Sequence, residues 1–229
     1  MAQARPGDGQ MTYRIIDGHT IEGLKTLEAE SVQSCVTSPP YWGLRDYGDS
    51  GQEWPEVSFS PVAGLPPITI PAQRAALGLE ADPWAYVGHM VEVFRAVRRV
   101  LRADGTLWLN LGDSYTSIGS GGNTKTGLNE RTGRSVGAAK QGAPEGLMLR
   151  GKFTHGLKPK DLCGIPWRVA YALQAEGWYL RSEIIWHKPN PMPESVTDRP
   201  TKGHEQVFLL SKGPKYFYDV DAVMEAARP

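Results

Sequence analysis

Apolar positions along this chain form one long helical stripe and several short runs. Val87, Met90, Val91, Phe94, Val97 and Leu101 recur at the spacing of a helix that buries one face. Asp82-Pro83 precede the stripe. They supply a capping carboxylate and a proline at the first helical position, where a missing N–H costs nothing. Arg95, Arg98, Arg99 and Arg102 crowd the last turns, where the helix dipole favours cations, and Gly105 is the expected stop. A second helix is predicted from Ile165-Pro166 to Gly177, with Leu173 inward. A shorter one follows a capping Thr20, with Leu24 and Leu27 inward. The short runs predict strands over 13–16, 32–36, 106–111, 179–187 and 205–211, an edge strand over 216–218, and a helical fragment over 221–229. Strand, helix and strand at these spacings suit parallel α/β units, whose sites lie at the carboxyl ends of strands. Segment 49–79 is rich in Pro, Gly and Ser, shows no sustained period and reads as a long surface excursion.

The first buried run, 32–36, ends in Thr37-Ser38-Pro39-Pro40-Tyr41-Trp42. Two successive prolines cannot continue a strand or enter a helix interior, because each lacks an N–H and fixes φ. The chain therefore leaves the strand in a stiff, extended turn. That turn carries one small hydroxyl, main-chain carbonyls and a large aromatic face. Such a set can hydrogen-bond an exocyclic amino group and stack on the ring bearing it. Ser-Pro-Pro is also common in linkers, but linkers do not follow a core strand or lead into Tyr41, Trp42 and Tyr47.

Composition sets the frame. The 229 residues suffice for one large domain, read as 12–229, behind a disordered leader at 1–11 that lacks a signal peptide's apolar core. No apolar run approaches the roughly 20 residues of a membrane span. Cys35 and Cys163 lie in separate segments, which points to a reducing, cytoplasmic setting without a metal site. His204-Glu205 is half a metal motif without its second histidine. Net charge is zero, yet 119–160 holds eight basic residues against Glu130 and Glu145. This basic, glycine-rich loop suits phosphate contact through Lys125, Arg131, Arg134 and Lys152; a solvated insertion has the same composition.

Four blocks stand in one order: Val36-Thr37-Ser38-Pro39-Pro40-Tyr41-Trp42, the helix-to-strand unit 99–108, the strand 177–190 ending in His187-Lys188-Pro189-Asn190, and His204-Glu205-Gln206-Val207-Phe208-Leu209-Leu210. Together they resemble the DNA amino-methyltransferases of the circularly permuted β group, over about residues 12–220. These enzymes methylate N4 of cytosine or N6 of adenine. The resemblance implies an α/β, Rossmann-like, S-adenosylmethionine-dependent fold, with a central mostly parallel sheet and helices on both faces. It implies double-stranded DNA as partner and S-adenosylmethionine as cofactor.

It also implies roles. Ser38, Pro39, Pro40 and Tyr41 are the catalytic candidates. Ser38 Oγ and the Pro39 carbonyl would take the amino N–H groups, and Tyr41 would stack on a flipped base. Serine in the first position of the motif favours cytosine; aspartate there would favour adenine. Trp42 and Tyr47 are candidates for the base pocket or for ordinary wall residues. Asp17 and Thr37 are candidates for cofactor contact, with turn formation the alternative for Asp17. Lys188 is a candidate phosphate contact or a solvated strand end. The family's Phe-x-Gly-x-Gly cofactor loop has no counterpart after Phe217, so the sheet is expected to be incomplete at the C-terminus. Gly119-Ser120-Gly121-Gly122 reads as a hinge. Two other readings stand beside this one: a DNA-binding remnant without turnover, and an unrelated nucleotide-binding α/β protein. A cognate restriction endonuclease is one partner the family implies, and phage self-protection is another setting. Oligomeric state is open.

Overall fold

The computed structural model describes residues 13–44, 46–48, 50–116, 156–158, 160–194 and 196–224. The leader and the basic residues Lys125, Arg131, Arg134 and Lys152 lie outside them.

Helix α1 (Thr20–Lys25) leads to strand β1 (Val32–Thr37). Four three-residue strands follow: β2 (Gln52–Trp54), β3 (Val57–Phe59), β4 (Ile68–Ile70) and β5 (Gln73–Ala75). Then come α2 (Pro83–Val100), β6 (Leu101–Leu111), α3 (Ile165–Ala175), β7 (Tyr179–His187), β8 (His204–Ser211) and α4 (Val220–Val223). The main sheet runs β1-β6-β8-β7. The α/β, Rossmann-like expectation holds, with a different balance of strand directions. Among the described residues only β1 and β6 pair parallel, because β7 and β8 form an antiparallel hairpin that joins β6 antiparallel.

Asp82 caps α2 as the sequence predicts, its carboxylate accepting from Trp84 N at 2.7 Å. The apolar stripe of α2 is buried against the sheet. Paired residues share a face, so Cys35, Leu107 and Leu210 lie together, as do Thr37, Leu109 and Phe208. Leu107, Leu109, Phe208 and Leu210 are fully buried, and Trp167 of α3 meets Phe208 edge-on at 5.0 Å. The opposite face carries Val36 and Trp186, 80% and 62% exposed. Thus, among the described residues, α2 and α3 cover one face of the sheet rather than both.

Other differences have local causes. Residues 13–16 form no strand, since none of the described strands pairs with them. Helix α2 stops at Val100 rather than at Gly105, because Leu101 turns extended and pairs with Val32. Gly105 instead allows a close strand approach: a Cβ there would lie 3.2 Å from the Gln33 carbonyl. Arg99 does more than offset a dipole, donating to the carbonyls of Leu24 in the last turn of α1 and Leu27 just beyond it at 2.7 and 3.1 Å. The excursion 49–79 is two antiparallel pairs, β2 with β5 and β3 with β4. Each strand is too short to show a period, yet Trp54, Val57, Phe59 and Ile70 are buried. The expected edge strand at 216–218 is absent, and α4 covers Val220–Val223, with 225–229 outside the described residues.

Candidate active site

Strand β1 delivers Thr37 to the sheet's upper edge, and the two prolines carry the chain across it. A cavity of about 360 Å³ opens there, walled by Ser38, Pro39, Tyr41, Leu44 and Tyr47. The structure therefore brings Ser38, Pro39, Tyr41 and Tyr47 together. It does not bring Trp42 to this cavity: the indole is buried in the core and donates to the Glu80 carbonyl at 2.9 Å. Of its two readings, the wall residue fits. Thr37 and the exposed Asp17 do not line the cavity either.

The turn rests on a buried scaffold. The Pro40 carbonyl accepts from the Tyr86 hydroxyl at 2.9 Å, whereas the Pro39 carbonyl takes no hydrogen bond from the described residues. Gly43 N donates to the Gly78 carbonyl at 2.8 Å. Gly78, at φ +92, passes so close that a Cβ would stand 3.0 Å from the Tyr41 carbonyl. Glu80 fixes this contact. One carboxylate oxygen accepts from Gly78 N at 2.9 Å; the other meets His89 Nδ1 at 2.8 Å, both side chains fully buried. Trp54 stacks on the His89 ring at 4.1 Å.

Tyr41 is held at both ends. Its ring packs on Gly112, where a Cβ would come within 2.5 Å of two ring carbons. Gly112→Ala must push the ring aside, and we expect it to lower stability by about 2 kcal/mol, measured by chemical denaturation. The Tyr41 hydroxyl lies 2.6 Å from Asn110 Oδ1 and 3.1 Å from Glu205 Oε2. Ser38 Oγ lies 3.1 Å from that hydroxyl and 3.2 Å from Asn110 Oδ1. The Asn110 amide donates to the Gln206 carbonyl at 3.2 Å, which turns its oxygen toward both hydroxyls. Lys188 Nζ pairs with Glu205 Oε1. Lys188 is thus neither a plain solvated strand end nor a cation free of protein partners.

Charge follows from these contacts. Burial pushes the Tyr41 phenol up to about 12; the Ser38 hydroxyl opposes the rise and the Glu205 carboxylate adds to it. The ordinary value is 10.0, so the ring stays protonated across neutral pH. The raised value favours the protonated folded state, and its contribution to stability is expected to fade as pH climbs from 10 through about 12. Ultraviolet titration of wild type against Tyr41→Phe measures the late-ionising phenol. Burial also pushes Glu205 up, but Lys188 and the Tyr41 hydroxyl outweigh it and hold the carboxyl below its usual range.

Asp113 shows a different role. Its carboxylate accepts from Ser114, Gly164 and Ile165 N–H groups, capping α3 where Gly164 has no side chain to offer. Lys158 and Lys160, at the end of the basic loop, pair with Asp161 and Asp198. Among the described residues no group of three metal-ligating side chains occurs, and no helix is long and apolar enough to cross a membrane.

Sequence reasoning did not pick out Asn110 or Glu205 as members of this site. Asn110 carried a signal: it is the polar residue inside the apolar run Leu107-Trp108-Leu109-Asn110-Leu111, and a half-buried amide needs partners. Glu205 carried only its place at the head of a strand.

Residues 32–228 match the family model N6_N4_Mtase, described as DNA methylase. Over 214 residues the chain is 46% identical to the Type II methyltransferase M.SmaI of Serratia marcescens, covering 93% of this chain and 61% of that one. It is 42% identical to M.Cfr9I of Citrobacter freundii over 211 residues, 92% of this chain and 58% of the relative. The chain thus spans about three-fifths of the length of these curated relatives. Among solved structures, PvuII DNA methyltransferase (cytosine-N4-specific) superposes with a TM-score of 0.53 at 16% identity, over 93% of this chain and 53% of that one. That match shows a shared fold.

Proposed function

This chain belongs to the N6_N4_Mtase family of DNA methylases, and we propose that it carries the base-binding site of a Type II DNA methyltransferase acting on N4 of cytosine. The observation that carries the reading is the cavity at the end of β1, where Ser38, Pro39 and Tyr41 face one space. Ser38 in the motif's first position favours cytosine over adenine.

An aromatic amino nitrogen is a poor nucleophile because its lone pair is conjugated into the ring. Hydrogen bonds from its two N–H groups to Ser38 Oγ and the Pro39 carbonyl draw the nitrogen toward tetrahedral geometry and free that pair. The Tyr41 ring, fixed by Gly112 and by its hydroxyl, stacks on the flipped base and offsets part of its unstacking cost, a few kcal/mol. Catalysis here is mainly positioning and electrostatic fit.

S-adenosylmethionine supplies a sulfonium methyl electrophile. The lining suits that cation: the rings of Tyr41 and Tyr47 both favour positive charge. Double-stranded DNA is the substrate, and the basic loop with Lys125, Arg131, Arg134 and Lys152 supplies phosphate contacts. Lys188 serves the site through Glu205. A cognate restriction endonuclease and a cytoplasmic setting accompany this role. Asp17 and Thr37 are assigned no cofactor contact.

The test is nucleoside mass spectrometry on DNA from cells expressing the full-length protein. The cytosine reading expects 4-methylcytosine. Accumulation of 6-methyladenine instead would assign adenine N6, and an unmodified nucleoside profile would mark a DNA-binding remnant.

A further inference from the structure

We propose that Ser38, Tyr41 and Glu205 form a proton exit relay, with Glu205 the final acceptor of the proton that the methylated amino group must shed. This rests on the methyltransferase reading above.

The geometry lines up three oxygens from two segments, the turn after β1 and the first residues of β8. Ser38 Oγ donates toward the Tyr41 hydroxyl at 3.1 Å, and that hydroxyl donates toward Glu205 Oε2 at 3.1 Å. Tyr41 has a second acceptor, Asn110 Oδ1 at 2.6 Å. A neutral amide oxygen can orient the hydroxyl but cannot hold its proton near neutral pH. Among the described residues, Glu205 is the one anion that the Tyr41 hydroxyl touches. The carboxylate is kept ionised by Lys188, paired directly, and it also faces Lys202, which is half-buried nearby. The Glu205 side chain is 20% exposed, so a proton held there can pass to water.

The step balances. The nitrogen lone pair forms the N–CH₃ bond as the S–CH₃ bond breaks, and that pair stays on sulfur as a neutral thioether. The nitrogen, now cationic, keeps the electrons of one N–H bond and gives its proton to Ser38 Oγ. Ser38 passes its own hydrogen to the Tyr41 oxygen, and Tyr41 passes its own to Glu205. One sulfonium, one amine and one carboxylate become a thioether, a methylated amine and a carboxylic acid, with no net change in charge. Transfer along the relay during attack spares the site a full positive charge on nitrogen.

Glu205→Gln tests the relay, because glutamine keeps the shape and can still accept from Tyr41. In the full-length protein the single-turnover methylation rate is expected to fall about 100-fold, with DNA affinity unchanged. Wild type is expected to show a solvent deuterium isotope effect on that rate, and the variant to lose it. Tyr41→Phe removes only a hydroxyl and should reproduce both changes; it carries the test if Glu205→Gln folds poorly. The double variant should be no slower than the slower single one, since either break interrupts the same path. A Glu205→Gln rate equal to wild type, a persisting isotope effect, or additive losses would overturn the relay while leaving the methyltransferase reading intact. A wild-type protein that methylates no DNA would overturn both.

Discussion

Replacing Ser38 with alanine is expected to slow single-turnover methylation about 100-fold while DNA affinity stays within experimental error of wild type. The reason is the double duty of one hydroxyl. Ser38 Oγ faces the cavity and at the same time lies 3.1 Å from the Tyr41 hydroxyl and 3.2 Å from Asn110 Oδ1. Alanine removes the acceptor that draws out one amino N–H and breaks the hydroxyl's tie to Tyr41. It leaves the Pro39 carbonyl, the prolines and the stacking ring in place. Fluorescence anisotropy on duplex DNA beside rapid-quench methylation separates the two effects. Equal losses of binding and rate would make Ser38 a structural residue of the turn.

Glu80→Ala is expected to cost about 3 kcal/mol of stability. For a chain of this size that is a melting temperature lower by roughly 10 °C, read by calorimetry. Glu80 is only 3% exposed and satisfies two groups that cannot reach water, His89 Nδ1 and Gly78 N. Alanine strands both. The damage should also reach the site, because Gly78 is the seat against which Pro40, Tyr41 and Gly43 pack. A variant melting within 2 °C of wild type at this chain length, a difference well under about 1 kcal/mol, would show that the buried pair is not what holds the turn.

The sequence made some features plain and hid others for physical reasons. Asp82-Pro83 and the stripe from Val87 to Val97 announced α2, because a cap and a buried face both act within a few residues. Ser38-Pro39-Pro40-Tyr41 was legible because two prolines after a strand leave the chain few conformations. Glu205 was not legible as a partner of Tyr41, since 164 positions separate them and it takes both the β1-β6 and the β6-β8 pairings to bring them together. The His89–Glu80 pair spans only nine residues and was hidden for another reason: its histidine looks like any other polar position on an amphipathic helix. Trp42 was readable only as far as its neighbours; its inward rotation depends on the Glu80 carbonyl. The mixed sheet could not be read from 179–211, because apolar runs predict strands without their direction.

The central claim is that the Ser38–Tyr41 turn presents a base amino group for methylation. Its most direct test incubates purified full-length protein with duplex DNA and S-adenosylmethionine carrying an isotopically labelled methyl group, then digests the DNA for nucleoside mass spectrometry. Labelled 4-methylcytosine from wild type, reduced about 100-fold in Ser38→Ala, is the predicted result. DNA free of labelled nucleoside after incubation with wild type, or equal label from Ser38→Ala, would contradict it.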